Sequence, residues 1–192
     1  VAAAWGSATA RASRVAWNER RDLYPEGVAS GDPQADSVIL WTRRPFADGK
    51  DAASLAVEVA EDNRFQRVVA TAKAPVSAAS DWTCRVLVGG LKPAHEYWYR
   101  FTDEKGAGSR IGRTLTAPAD GDARTVRFAF VSCQNVCQGA QNAYRRMIYE
   151  DERAAASERL GFVLHLGDFI YEIVWYPEDR PQGMYSRRLR DI

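Results

Sequence analysis

Hydrophobic and polar positions follow two different patterns along the chain, and the change falls near residue 118. Between Tyr24 and Pro118, short apolar segments alternate with polar residues, and turn residues separate them. Alternation with a period of two is typical of strands with one buried face. It predicts strands over 27–30, 37–43, 55–61, 66–72, 83–88, 96–103 and 111–116. Short strands at such regular spacing predict an immunoglobulin-like β-sandwich.

A turn near residue 91 sharpens the prediction of a sandwich. Leu91 and Pro93 precede aromatic residues at alternate positions, Tyr97, Tyr99 and Phe101. This arrangement resembles the tyrosine corner of a fibronectin type III-like domain, in which a tyrosine hydroxyl bonds back to the backbone near the turn. We therefore expect Tyr97 or Tyr99 to make such a bond.

The pattern after the polar, glycine-containing linker 119–124 is that of strand, helix and strand. A strand is predicted over 125–132, a helix over about 140–158, and a second strand over 162–166. Two strands joined through a helix form a βαβ unit, in which the strands run parallel. The helix is expected to bury Ala143, Tyr144, Met147 and Ile148 and to expose 150–153 to solvent.

Both strands of this second region end in residues that could bind a metal ion. Cys133 follows the first strand, Asp168 follows the second, and Tyr171 comes three residues later. Ligands bind outside the carboxyl ends of the strands in open α/β sheets, so Cys133 and Asp168 should be neighbours. A carboxylate and a phenol at one site favour a hard, highly charged cation such as ferric iron.

Each of these residues also has an explanation without a metal. Asp168 could serve a turn after Gly167, and Tyr171 could be an interface aromatic. Cys133 and Cys137 are close enough in sequence to form a disulfide in an oxidising compartment. The third cysteine, Cys84, lies in a predicted strand and is expected to be a small buried residue.

Taken together, the motifs resemble those of the alkaline phosphatase D (PhoD) family. The resemblance covers about 24–192 and rests on Ser132-Cys133-Gln134-Asn135, on Ala143-Tyr144-Arg145, on His165 to Glu172, on Gly27 to Pro33 and on Val38 to Arg43. It implies a fibronectin III-like sandwich over 24–118, followed over 125–192 by the start of an α/β metallophosphoesterase domain that is incomplete in this chain.

The same resemblance implies a phosphomonoesterase or phosphodiesterase that uses Fe³⁺ and Ca²⁺. Cys133 and Tyr171 would bind iron as thiolate and phenolate, and Asp168 would bridge two metal ions. Asn135 and Arg145 are candidates for substrate binding, although loop and surface roles explain them equally simply. The remaining metal ligands are expected beyond Ile192, so the 192-residue chain alone should be inactive or nearly so.

Net charge and the absence of two sequence motifs bear on the class of function. The net charge of +1 gives no argument for nucleic-acid or membrane binding. The sequence contains neither a Walker-type glycine-rich loop nor a serine nucleophile elbow. Hydrolysis of a phosphate ester should therefore be metal-assisted. We expect a monomer that acts on a phosphate ester.

The alanine-rich residues at the start, within 1–23, are predicted to be the remnant of an export signal, or else a disordered or weakly helical terminus. The resemblance implies export to the periplasm or outside the cell, with the twin-arginine route as one possibility. Two other functions fit the residues: a purple acid phosphatase-like enzyme, and a binding module with a vestigial α/β remnant. Cys133 disfavours the former, because that family places an aspartate at this strand end.

Overall fold

The structure, a computed structural model, describes residues 2–6, 9–46, 49–134, 142–169 and 171. The chain divides into two compact units, Val1–Asp122 and Ala123–Ile192. The first unit contains strands β1 Ala2–Trp5, β2 Asn18–Glu19, β3 Val28–Gly31, β4 Val38–Arg43, β5 Ala52–Ala60, β6 Val68–Ser77, β7 Thr83–Gly89, β8 Glu96–Thr102, β9 Ala107–Gly108 and β10 Gly112–Leu115. The second contains β11 Phe128–Val131, helix α1 Asn142–Arg153 and β12 Phe162–His165.

The first unit is built from two sheets that share a hydrophobic core. One sheet has the order β1-β7-β4-β3, and the other has the order β2-β9-β8-β5-β6, with β10 also paired to β8. Strands β3 to β8 and β10 correspond to the strands that the sequence pattern predicts. The alternation is visible in β4, where Val38, Leu40 and Thr42 are buried and their neighbours are partly exposed.

Aromatic side chains fill much of this core. The largest fully buried residues include Tyr24, Phe65, Tyr97, Tyr99 and Phe101. Burying a large apolar side chain stabilises a fold by about 1.5–3 kcal/mol. The first unit therefore has a substantial core of its own.

The turn near residue 91 makes the expected tyrosine bond. The backbone N–H of Lys92 donates to the Tyr97 hydroxyl at 2.9 Å. The Thr116 hydroxyl donates to the Lys92 carbonyl at 2.6 Å and accepts from the His95 N–H at 3.0 Å. The prediction left Tyr97 and Tyr99 open, and the structure assigns the bond to Tyr97.

Described residues that precede Tyr24 lie on the two sheets. Strand β1 runs along β7, and β2 runs along β9. The Ser13 hydroxyl donates to Glu58 at 2.6 Å, and the Trp17 indole N–H donates to the Ser109 carbonyl at 3.2 Å. Residues that the sequence assigned to a leader thus pair with the sandwich, because its edge strands offer backbone groups for pairing.

Two buried ion pairs lie in the first unit. Arg100 and Glu58 are 2.7 Å apart, and the Arg100 guanidinium stacks over the Phe65 ring at 4.1 Å. Arg44 and Asp103 are 2.8 Å apart, with 8% and 2% of their side chains exposed. Buried charges persist in folded proteins when they are paired and hydrogen-bonded, as these are.

In the second unit, β11 and β12 pair in parallel, as the sequence predicts. Phe128 lies opposite Phe162, and Val131 lies opposite His165. The Phe128 and Phe162 rings stack with their centroids 5.2 Å apart. The carboxyl ends of both strands therefore lie at the same edge.

Helix α1 differs from its prediction in length and in its buried positions. It spans Asn142–Arg153 and so ends before the predicted residue 158, while residues 140–141 lie outside the described ranges. Ala143 and Ile148 are exposed, so the predicted apolar face is wrong at these two positions. Asp151, expected in solvent, is buried and accepts a hydrogen bond from the Leu160 N–H at 2.7 Å. The Asp151 carboxylate thus accepts a backbone hydrogen bond from the segment that leads into β12.

No helix among the residues that the structure describes has the length and apolar character needed to cross a membrane.

Candidate metal centre

Backbone hydrogen bonds continue the β11–β12 ladder beyond the ends of both strands. Three N–H groups donate across it: Leu166 to the Val131 carbonyl at 2.7 Å, Cys133 to the Gly167 carbonyl at 3.0 Å, and Gln134 to the Asp168 carbonyl at 2.9 Å. These bonds hold the two strand ends side by side. The residues that follow the strands are therefore fixed by the backbone of the sheet.

Both candidate ligands at these strand ends have left-handed backbone conformations. Cys133 has a φ of 58° and Asp168 has a φ of 54°. The preceding Gly167 has a φ of 123°, which strongly favours glycine. A non-glycine residue in such a conformation costs about 1–3 kcal/mol, and strained residues of this kind cluster at functional sites.

The side chains of Cys133, Asp168 and Tyr171 converge on one oxygen atom. The Cys133 Sγ donates to Asp168 Oδ2 at 3.3 Å, and the Tyr171 hydroxyl donates to the same oxygen at 3.1 Å. All three residues are exposed. Sequence reasoning named these three residues, and the structure brings them together.

Cys133 is a free thiol in the structure. Its alternative partner in a disulfide, Cys137, lies outside the described residues, as does the substrate-binding candidate Asn135. The other candidate, Arg145, is exposed on α1.

The hydrogen bonds within the cluster affect the Tyr171 phenol. The contact with Cys133 raises the pKa of Tyr171, and the Asp168 carboxylate raises it further. A bound cation acts in the opposite direction, because a nearby positive charge stabilises the phenolate. The protonation state of Tyr171 therefore depends on whether a metal ion is present.

His165 supports the turn that presents Asp168. Its Nδ1 accepts a hydrogen bond from the Gly167 N–H at 3.4 Å, and its ring meets the Phe169 ring edge-on at 4.8 Å. These contacts involve Nδ1 and the ring, whereas Nε2 of His165 is buried and has no hydrogen-bond partner among the described residues.

The phenol is needed to complete the cluster. Within the described ranges, no group of three His, Cys, Asp or Glu side chains is arranged to hold a metal ion. The site thus consists of one thiol, one carboxylate and one phenol. The left-handed conformations of Cys133 and Asp168 were not predicted, although the glycine before Asp168 is a signal that could have indicated one of them.

Comparison with known proteins identifies the family. Residues 8–118 match the profile of the PhoD-like phosphatase N-terminal domain. Residues 128–191 match the profile of PhoD-like phosphatase. The chain belongs to the PhoD-like phosphatase family.

Individual relatives agree with this PhoD-like assignment. Alkaline phosphatase D of Bacillus subtilis (strain 168) is 39% identical over 153 residues, which cover 76% of this chain and 25% of the relative. The solved structure of PhoD superposes with a TM-score of 0.67 at 37% identity, covering 77% of this chain and 28% of that one. The chain thus spans about a quarter of the length of these relatives.

Proposed function

We propose that this chain carries part of the metal centre of an enzyme that hydrolyses phosphate esters. The observation that carries the proposal is the convergence of Cys133, Asp168 and Tyr171 on the Asp168 Oδ2 atom, at 3.3 and 3.1 Å. Membership in the PhoD-like phosphatase family supports the reaction class. It also favours this hypothesis over a purple acid phosphatase-like enzyme.

The donor set suits Fe³⁺. Donor atoms that share one metal ion at about 2.0–2.3 Å lie roughly 3 Å from one another. The donors of the cluster lie 3.3 and 3.1 Å from Asp168 Oδ2. Thiolate, carboxylate and phenolate each carry a negative charge, so together they would balance a trivalent cation.

Asp168 has a second oxygen that could contact a further cation. Ca²⁺ prefers carboxylate oxygens, so Asp168 would be able to contribute to holding both cations. When bound, the two ions supply positive charge that neutralises phosphate oxygens while water adds and a P–O bond breaks. The role of Cys133, Asp168 and Tyr171 is to hold and orient that charge at the edge of the sheet.

The architecture that accompanies this function is also part of the proposal. We assign the first unit to a fibronectin III-like domain, on the basis of its two sheets and the Tyr97 bond at 2.9 Å. We assign β11, α1 and β12 to an α/β metallophosphoesterase domain, on the basis of the parallel strands that flank a helix.

The metal site can be tested without an assay of activity. Titration of the chain with Fe³⁺ should produce a visible absorption band, because phenolate and thiolate donate charge to ferric iron. Tyr171→Phe should remove the phenolate contribution, and Asp168→Asn should weaken iron binding by about tenfold or more. Tyr149→Phe, at an exposed tyrosine on α1, is the matched control and should leave the band unchanged.

Two results would count against the site. One is an absorption spectrum that Tyr171→Phe leaves unchanged. The other is a band that is lost equally in Tyr149→Phe.

Activity provides a second test. Three donors cannot fill the coordination shells of Fe³⁺ and Ca²⁺, so the 192-residue chain assayed alone should turn over a chromogenic phosphate ester slowly or not at all. In a longer protein that contains this chain, Asp168→Asn should lower turnover by about a hundredfold. Robust turnover by Asp168→Asn would contradict the proposal.

A further inference from the structure

Strand β1 occupies the outer edge of β7 in the first unit. Ala2 to Trp5 run parallel to Val86–Gly89, and the Gly6 N–H donates to the Gly89 carbonyl at 2.7 Å. On its other side, β7 pairs with β4 in the antiparallel direction. The family profile begins at residue 8, so β1 lies outside the part of the chain that matches the family domain.

The inward-facing side chains of β1 are small, and its one large side chain faces outward. Ala4 is 5% exposed and belongs to the main hydrophobic core, and Ala2 packs against that core. Ala3 and Trp5 alternate with them and point outward. The two inward positions therefore accept small side chains, because the interior they meet is already closely packed.

Gly6, Gly89 and Gly90 lie close together at the carboxyl end of the β1–β7 pair. A Cβ atom on Gly89 would lie 2.9 Å from the Trp5 ring, and a Cβ atom on Gly6 would lie 2.4 Å from the Gly90 carbonyl oxygen. The Trp5 ring thus rests on Gly89 and Gly90, and position 6 has no room for a side chain. These contacts require glycine at position 6 and accommodate an aromatic ring at position 5, where Trp5 is 69% exposed.

We propose that the β7 edge is a peptide-acceptor site, filled here by residues 2–6 of the same chain. Its ligand is an extended peptide with small residues at two alternate positions, then an aromatic residue and a glycine. An edge strand offers unpaired N–H and C=O groups to any extended segment, so the covalent connection to the rest of the chain is not required for pairing. The proposal is independent of the metal centre.

The test uses the full chain, which is first folded and then cleaved by a protease between β1 and the rest of the first unit. A protease recognition sequence inserted between Ala10 and Arg11 allows the first strand to be released while the sandwich remains folded, which circular dichroism monitors. The probe is a fluorophore-labelled hexapeptide with the sequence of residues 1–6. Fluorescence anisotropy should show saturable binding to the cut chain with one peptide per protein.

Matched variants distinguish this site from nonspecific adsorption. The peptide with Gly6→Ala should bind about tenfold more weakly or worse, because its methyl group would meet the Gly90 carbonyl oxygen and disrupt the bond from the Gly6 N–H to the Gly89 carbonyl. Gly89→Val in the protein should weaken binding similarly. Gly31→Val is the control, because Gly31 lies in β3 at the opposite edge and a Cβ there would meet nothing within 4 Å.

Several outcomes decide the proposal. Equal binding of the native and Gly6→Ala peptides would overturn it, as would equal losses from Gly31→Val and Gly89→Val. If Gly89→Val does not fold, the two peptides alone decide. The cut chain could also form a dimer through the open β7 edge. If the peptide dissociates this dimer, the result supports the site. If a saturating concentration of peptide leaves the dimer intact, the result counts against the site.

Discussion

The two units of this protein use the same hydrophobic alternation with different results. In the first, aromatic residues such as Phe101 are completely buried. In the second, Phe130 on β11 is 69% exposed and Leu166 after β12 is 65% exposed among the described residues. Alternation therefore predicts where strands form in both units, but it does not predict how deeply the apolar side chains are buried.

Charged and polar groups differ between the units in the same way. In the first unit they form buried pairs, such as Arg100 with Glu58, that belong to the packing of the sandwich. In the second, Cys133, Asp168 and Tyr171 are exposed and are positioned by backbone hydrogen bonds and left-handed turns. The comparison indicates that the sandwich depends on its core, whereas the candidate metal centre depends on the local backbone.

The largest expected difference concerns aromatic truncation. Phe101→Ala should lower the free energy of unfolding by about 3–5 kcal/mol, because it leaves a cavity in the core. Phe130→Ala, which removes a ring of the same size from an exposed position, should change it by less than about 1 kcal/mol. Urea unfolding monitored by tryptophan fluorescence measures both values. Similar losses in the two variants would break the comparison.

The free-energy cost of breaking an ion pair should differ almost as much between the two units. Glu58→Gln leaves the buried Arg100 without its charged partner and should cost about 3 kcal/mol. Glu150→Gln breaks the exposed pair between Arg146 and Glu150 on α1 and should cost about 0.3–0.5 kcal/mol. Thermal unfolding of the two variants compares them directly. A Glu150→Gln cost as large as that of Glu58→Gln would contradict the distinction.

Removing one tyrosine hydroxyl from each unit should also change the free energy of unfolding by different amounts. Tyr97→Phe leaves the Lys92 N–H without its partner and should destabilise the first unit by about 1–2 kcal/mol. Tyr171→Phe should change stability by less than about 0.5 kcal/mol, since the side chain is exposed. Its effect should appear instead in the iron absorption band. Urea unfolding together with the iron titration separates the two roles.

The cysteines should differ in reactivity rather than in stability. Burial raises the pKa of Cys84 to about 11, whereas Cys133 is exposed. At pH 8 a thiol with that pKa is about one-thousandth thiolate, which is the reactive form. Iodoacetamide should therefore label Cys133 in the folded chain and spare Cys84, as measured by mass spectrometry. Fe³⁺ should protect Cys133, and labelling that is unaffected by iron would argue against its role as a ligand.

The smallest expected effect is a pH dependence in the first unit. The hydrogen bond from Lys92 lowers the pKa of Glu61, and Arg67 lowers it further. The unfolded chain then binds more protons than the folded one in mild acid. The stabilisation is complete above the unfolded pKa of about 4.3 and is lost as the pH falls through the lower folded value. Glu61→Gln should flatten the loss of stability below about pH 4 in acid titrations.

Much of the fold could be predicted because periodicity is a local property. The alternation within residues 38–43 is enough to predict β4, and Gly167 after an apolar run is enough to end β12. The proximity of Cys133 and Asp168 followed from one further rule, that parallel strands joined through a helix end at the same edge.

Contacts between distant segments could not be predicted in this way. Asp151 was expected in solvent, but it is buried and accepts a hydrogen bond from the Leu160 N–H. The pattern before Tyr24 also gave no indication that Ser13 and Trp17 bond to β5 and to the segment after β9. For Ser13 and Trp17 the deciding partner lies well beyond the window that a periodic pattern covers.

The amino-acid sequence by itself determined where β3 to β8 and β10 to β12 lie, that β11 and β12 run in parallel, and which three side chains meet at their ends. Only the tertiary structure decided that β1 covers the edge of β7, that Arg100 is paired with Glu58 inside the sandwich, and that Cys133 and Asp168 are left-handed. The physical reason is that strand formation depends on neighbouring residues. Edge pairing, burial of charge and backbone strain depend on which distant groups remain without partners once the sheets have formed.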